Sequence, residues 1–267
     1  MVGQFRSTLE ESERRRGSRI VLALDVIAES KEKILLKSMQ ILEETHKYIC
    51  ALKINHHLIL PLGLFDGVKK IIERAKDLEL PTIIDCKAND IGSTNRVIAE
   101  NYFKAGFDAL IANPFVGWED GLQPIFETAK RMERGVILLV YMSHKAAWEG
   151  YGQKVYDPFT GTIKPQYIIF AEKALAWGAD GAVVGATYPE KIGEVYAILG
   201  ERVPIYSPGV GVQGGDIERA LSAGAHYLII GRSIVESEAP AEAARRLRDI
   251  SNKIIDGLTR KGRGSRP

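Results

Sequence analysis

Short aliphatic runs alternate with longer amphipathic stretches along the whole chain. The runs cover 19–25, 50–54, 82–85, 108–112, 135–141, 180–184, 203–206 and 226–230. Most are nearly continuous in Val, Ile, Leu and Ala rather than strictly alternating, the pattern of parallel strands buried on both faces. Between them, 65–78, 94–105, 167–177 and 189–199 carry helical periodicity, and a last helix is predicted over 239–258. Three helices end in glycine just before the next run, at Lys104-Ala-Gly-Phe-Asp108, Trp177-Gly-Ala-Asp180 and Ser222-Ala-Gly-Ala-His226. Glycine adopts the left-handed conformation that stops a helix, so each marks a unit boundary.

Eight strand-and-helix units in roughly 250 residues predict an α/β fold, a (β/α)8 TIM barrel, with a doubly wound open sheet as the competing arrangement. The chain reads as one barrel domain over 1–267, with a short polar N-terminal segment and a basic C-terminal tail. A segment at about 142–164 breaks the rhythm: it is rich in Gly, Pro, Tyr and Trp and shows no clean period. A long irregular loop at the C-terminal ends of barrel strands reads as a lid or contact surface.

Composition narrows the function classes. With 45% hydrophobic and 26% charged residues the chain is an ordinary globular protein, and 36 Lys and Arg against 34 Asp and Glu leave no bulk attraction to nucleic acid or an anionic membrane. The basic clusters, Arg14-Arg15-Arg16 and 260–266, are terminal and read as solvated, frayed ends. Met1 to Gly17 is too polar for a signal peptide, and no apolar run approaches membrane-spanning length. Cys50 and Cys86 make neither a disulfide framework nor a metal site unaided, which fits a reducing, cytoplasmic location.

The candidate chemistry lies where the strands end, the functional face of such a barrel. Asp85-Cys86-Lys87-Ala88-Asn89-Asp90 follows the third run. Strand alternation turns Asp85 and Lys87 to one side and Cys86 to the other, where it packs. Alternating charges of this kind hold a lysine protonated against a substrate. An ion pair closing the strand, with Asp90 capping a helix near Gly92, explains the same spacing. Asp25 ends the first run, and Lys53 sits inside the second, where a lysine is rarely buried unless paired. Ser143 and His144 follow the fifth run, His144 reading as a supporting or packing residue rather than a base.

The last two units carry Ser207-Pro-Gly-Val-Gly-Val-Gln-Gly-Gly-Asp216 and Gly231-Arg232-Ser233. Glycines admit an anion close to the backbone, a helix N-terminus adds its dipole, and arginine supplies a charged donor fork, so a phosphate site is expected here. No Gly-x-Gly-x-x-Gly follows the first run, which disfavours a dinucleotide. His56 and His57 lack a third ligand at suitable spacing, and no metal site is expected.

Together these residues closely resemble the orotidine 5′-phosphate decarboxylase family over 22–233. The marks are Leu22-Ala-Leu-Asp25, Leu52-Lys-Ile54, Asp85-Cys-Lys-Ala-Asn-Asp-Ile91, Met142-Ser-His144, the 207–216 glycine loop and Ile230-Gly-Arg-Ser233. The Asp-x-Lys-x-x-Asp element is shared with metal-dependent sugar-phosphate barrels, the 3-keto-gulonate 6-phosphate decarboxylases and hexulose-phosphate synthases, which form the alternative reading. Those relatives place a metal-binding carboxylate near the end of strand two, where this chain has Lys53. A non-catalytic nucleotide-binding barrel would not need Asp85, Lys87 and Asp90 together. The 142–164 loop is longer than in compact members of the family.

The resemblance implies decarboxylation of orotidine 5′-phosphate to UMP in de novo pyrimidine biosynthesis, without cofactor or metal, by a homodimer with shared active sites. It implies that Lys53, Asp85 and Lys87 come from one subunit and Asp90, Ile91 and Thr94 from the other. Asp25 and Lys53 would hold the ribose hydroxyls, and Ser143 the pyrimidine amide edge. Gln213 and Arg232 would grip phosphate beside the backbone of Pro208 and Gly231.

Overall fold

The structure, a computed structural model, describes residues 3–158, 160–211 and 214–264. Its strands are β1 (Ile20–Ala23), β2 (Ala51–Ile54), β3 (Thr82–Ala88), β4 (Ala109–Ala112), β5 (Gly135–Tyr141), β6 (Lys154–Asp157), β7 (Thr162–Pro165), β8 (Gly181–Val184), β9 (Ile205–Pro208) and β10 (Tyr227–Ile230). All but β6 and β7 are parallel and close into a barrel in the order β1-β10-β9-β8-β5-β4-β3-β2. The predicted TIM barrel is the fold. Val21, Ala51, Ile83, Ala109 and Ile137 point inward, whereas their neighbours Leu22, Leu52, Ile84, Leu110 and Leu138 face the helices. Both faces are dry, which is why the runs are aliphatic without alternation.

Helices α2 (Lys31–Thr45), α3 (His56–Leu62), α4 (Val68–Asp77), α5 (Gly92–Ala105), α6 (Gln123–Arg131), α8 (Gln166–Ala176), α9 (Pro189–Leu199), α10 (Gly214–Ser222) and α12 (Pro240–Gly264) connect or follow these strands. Strand β9 begins later than its aliphatic run because Pro204 has no N–H to donate; its carbonyl instead accepts from Ala182 N at 2.9 Å. Strand β3 outlasts its run because pairing with β4 resumes at Ala88 after a register shift.

The glycine-punctuated boundaries have a second purpose. Asp108 Oδ2 accepts from Thr82 N at 2.8 Å, Asp180 Oδ2 from Val136 N at 2.9 Å, and His226 Nδ1 from Ile205 N at 3.0 Å. Each residue precedes one strand and satisfies an amide at the start of its neighbour, sealing the N-terminal rim of the barrel.

Two segments depart from expectation. The polar N-terminus is not a frayed end but α1 (Gln4–Arg16), whose Phe5, Leu9 and Ser12 are buried. Phe5 and Leu9 join the inward-facing cluster and close the barrel floor, and Arg16 donates to the carbonyls of His46 at 2.8 Å and Leu78 at 2.6 Å. At the other end, α12 runs through much of the basic tail to Gly264, and 265–267 lie outside the described residues. The 142–164 segment is also not irregular: it holds the short α7 (Ala147–Tyr151) and the antiparallel hairpin β6–β7. Lys164 pins the hairpin to Asp157 at 3.2 Å and to Glu172 of α8 at 2.8 Å. Its four-residue strands are too short to register as a period. Among the described residues no helix is long and apolar enough to cross a membrane.

Candidate active site

Strands β2 and β3 pair with Lys53 opposite Ile83, so Asp85 lies one inward-facing step beyond Lys53 toward the C-terminal end. Lys53 Nζ donates to Asp85 Oδ2 at 2.9 Å, and Lys87 Nζ to Asp85 Oδ1 at 2.8 Å. Lys53 is only 5% exposed, yet its charge is matched as burial requires. Burial pushes the Asp85 carboxyl up, but the two ammonium groups outweigh it and hold it below the usual carboxylate range. The centre is therefore an ionised carboxylate between two cations, with one positive charge in excess.

Plain strand alternation does not bring Lys87 to Asp85. Lys87 has φ of +49°, and the register of β3 against β4 shifts between Ile84 and Ala88. This bulge folds Lys87 back over Asp85 while leaving its side chain 38% exposed at the cavity. A left-handed lysine costs on the order of 1 kcal/mol, held here by pairing on either side of the bulge. Cys86 packs against the layer beneath the helices, and burial pushes its thiol up to about 12, as suits a packing residue.

A cavity of about 590 Å³ opens at this end of the barrel. Asp25, Lys53, Asp85 and Lys87 line one side, Pro208, Gly209, Gly231 and Arg232 another, and Ser143 a third. Ser143 is crowded into position: a Cβ on Gly185 would come within 2.6 Å of its Cα, and one on Gly209, at φ +88°, within 3.0 Å of its Cβ. Thr187 Oγ1 donates to the Ser143 carbonyl at 3.1 Å. Arg232 opens the short α11 (Arg232–Val235) and is exposed at the cavity. Gln213, expected to hold phosphate with Arg232, lies outside the described residues.

Asp90, Ile91 and Thr94 are exposed and do not line this cavity. Asp90 Oδ1 accepts from Ile91 N at 2.7 Å, and its carbonyl accepts from Asn95 Nδ2 at 2.5 Å, bracing the start of α5. His144 is exposed rather than packed, and its carbonyl accepts from Tyr188 Oη at 3.1 Å. One residue escaped the sequence reading. Asn55 Nδ2 donates to Asp25 Oδ1 at 2.9 Å, so Asp25 is held by an amide, not by Lys53. Its signal was available, since Asn55 follows Lys53 by two and shares its strand phase. Among the described residues, no three His, Cys, Asp or Glu side chains are grouped to hold a metal ion.

Fixed charge thus meets one end of a cavity whose other end suits an anion. Residues 18–247 match the model of the Orotidine 5'-phosphate decarboxylase / HUMPS family. The chain is 37% identical to orotidine 5'-phosphate decarboxylase of Methanosarcina mazei over 86% of its own length and 93% of the relative's. It is similar to the structure of Leishmania donovani OMP decarboxylase, with a TM-score of 0.81, 26% identity, and coverage of 94% of this chain and 98% of that one. It is also similar to the Methanocaldococcus jannaschii orotidine 5'-monophosphate decarboxylase complexed with inhibitor BMP, with a TM-score of 0.73, 31% identity, and coverage of 88% and 99%.

Proposed function

The chain is an enzyme of the orotidine 5′-phosphate decarboxylase / HUMPS family, and from that premise we propose that it converts orotidine 5′-phosphate to UMP, with Lys87 delivering the proton to C6 and with no metal or organic cofactor. The observation that carries this reading is the pair of contacts from Lys53 and Lys87 to the two oxygens of Asp85, at 2.9 and 2.8 Å, beside the cavity. Loss of CO₂ from C6 leaves an electron pair in the plane of the pyrimidine, orthogonal to the ring π system. Delocalisation is closed to it, so stabilisation must come from charge already in place. Lys87 supplies that charge and then the proton, combining electrostatic stabilisation with general acid catalysis. Asp85 keeps both ammonium groups oriented, so no reorganisation is needed when the carbanion forms.

Asp25 and Lys53 hold the ribose hydroxyls, Ser143 reads the pyrimidine amide edge, and Gln213 and Arg232 take the phosphate beside the backbone of Pro208 and Gly231. The enzyme works as a cytoplasmic homodimer in which Asp90, Ile91 and Thr94 complete the partner's site. Their exposure outside their own cavity supports that reading, as does the apolar surface around them, where Ile91 is 60% and Val97 57% exposed. A metal-dependent sugar-phosphate reaction is less well supported, because strand β2 presents Lys53 where that chemistry needs a carboxylate.

The deciding experiment follows the loss of orotidylate absorbance on mixing with the purified protein, before and after EDTA. Turnover unchanged by the chelator is expected; no consumption of orotidylate would favour the sugar-phosphate reading, and turnover lost to EDTA and restored by Mg²⁺ would overturn the metal-free one. Mixing inactive Lys87→Ala and Asp90→Ala chains should recover activity, since one site of each mixed dimer then keeps both residues. No recovery, with subunit exchange demonstrated separately, would remove Asp90 from the partner's site.

A further inference from the structure

Asp25 lies two residues beyond β1, outside the strands that carry Lys53, Asp85 and Lys87. Its amide donates to Ala23 O at 2.9 Å, a tight turn that by itself leaves the side chain free to rotate. The carboxylate is nevertheless oriented. Oδ1 accepts from Asn55 Nδ2 at 2.9 Å, and Oδ2 lies 3.3 Å from where a Cβ on Gly231 would stand, toward the phosphate side of the cavity.

Asn55 has no freedom of its own. It follows β2 in an extended conformation, φ −133° and ψ −164°, and its Oδ1 accepts from His57 N at 2.8 Å as the cap of α3. The ring Nδ1 of His57 also lies 2.7 Å from that oxygen. A backbone N–H requires an acceptor and a carboxylate requires a donor, so only one orientation of the Asn55 amide satisfies both sides. Register explains the meeting. Ala23 pairs with Lys53 across β1 and β2, and Asp25 and Asn55 are each two residues further on.

We propose that Asn55 is a positioning residue for Asp25, locking one carboxylate oxygen so that the other is presented as a fixed acceptor to a ribose hydroxyl of the substrate. The inference rests on the proposed decarboxylase reading. It also explains how the charge centre stays intact: a neutral amide holds Asp25, so Lys53 remains committed to Asp85. Orientation of this kind is established before substrate arrives and is lost when a merely sterically similar group replaces the donor.

Asn55→Ser separates this role from helix capping, because it keeps an oxygen to accept from His57 N but lacks the amide that donates to Asp25. With orotidine 5′-phosphate, it should lower kcat/KM by about 10- to 100-fold, partly through a raised KM, and leave the thermal midpoint within about 2 °C. In an Asp25→Ala background the same substitution should change kcat/KM by less than about threefold, since nothing is left to position. UMP titration supplies the same comparison where turnover is too slow to follow. Equal proportional losses in both backgrounds, or no loss in the wild-type background, would overturn the assignment. Wild-type protein that does not consume orotidylate would instead sink the decarboxylase reading, so the two failures are distinguishable.

Discussion

The two ends of the barrel are made from the same strands and treat polar groups in opposite ways. At the N-terminal end, side chains are used on the chain itself. Glu13 accepts from Arg19 Nε and from Tyr227 Oη, each at 2.8 Å, Ser12 Oγ donates to Cys50 O at 2.6 Å, and Asp108, Asp180 and His226 satisfy strand amides. Phe5 and Leu9 seal the floor, where Tyr206, stacked 4.9 Å from Tyr227, is an exception with an unpartnered hydroxyl among the described residues. At the C-terminal end, the charges are aimed at one another and at an open cavity, and Lys87 is held in a left-handed conformation to complete the centre. One rim spends most of its polar side chains on the chain itself; the other turns charged groups toward a cavity.

If the two ends are separable, damage to each should move a different observable. The largest effect is expected from Lys87→Ala, which should lower kcat by at least about 10⁴-fold by removing both proton donor and fixed charge, while UMP still binds. Residual activity within tenfold of wild type would end the assignment. At the floor, Leu9→Ala should cost about 2–5 kcal/mol in urea unfolding by leaving a cavity under the barrel, with kcat/KM at 25 °C within about twofold. A parallel loss of activity in fully folded protein would show that the two ends are coupled after all.

A smaller effect tests the anion side of the cavity. Loss of a charged hydrogen bond costs about 1.5–3 kcal/mol, so Arg232→Ala should reduce kcat/KM for orotidine 5′-phosphate by at least about 10-fold. It should hardly affect orotidine lacking the phosphate. Equal proportional losses for both substrates would assign Arg232 to the fold or to the base site.

The smallest effect concerns His226, the imidazole among these rim acceptors. Burial pushes His226 down from its ordinary value of 6.5, with Glu201, 3.2 Å from Nε2, pulling the other way; Arg19 and Arg6 add to the lowering, and the Tyr196 ring lies 5.9 Å away. The unfolded chain therefore takes up a proton before the folded one does. The contribution of His226 is present in full above pH 6.5 and is lost as pH falls toward the depressed folded value. Unfolding free energy should therefore fall modestly as pH is lowered from 7 to 5. Asn at position 226 keeps an acceptor for Ile205 N and cannot titrate, so His226→Asn should flatten that slope without altering kcat. An unchanged slope would place the sensitivity elsewhere.

The barrel was legible in the sequence because its cause is local. A strand buried on both faces must be aliphatic throughout, and helices that return the chain to the same edge must end in a turn, so the eight runs and their glycine boundaries announced the fold. Asp25, Lys53, Asp85, Lys87, Ser143 and Arg232 were legible for a related reason: a charged or polar residue at the end of an apolar strand has few structural explanations. Alternation, however, only states direction relative to a residue's own strand. That Lys87 reaches Asp85 through a bulge, that Asn55 and not Lys53 holds Asp25, and that Asp90 stands outside its own cavity depend on register and backbone geometry between elements. The docking of α1 was hidden likewise, since Phe5 and Leu9 among many charges become a plug only where the open floor of a barrel gives them apolar surface to cover. Composition and period determined which elements form and what chemistry they carry; tertiary packing decided which groups meet, because hydrogen bonds and burial act over a few ångströms between residues far apart in the chain.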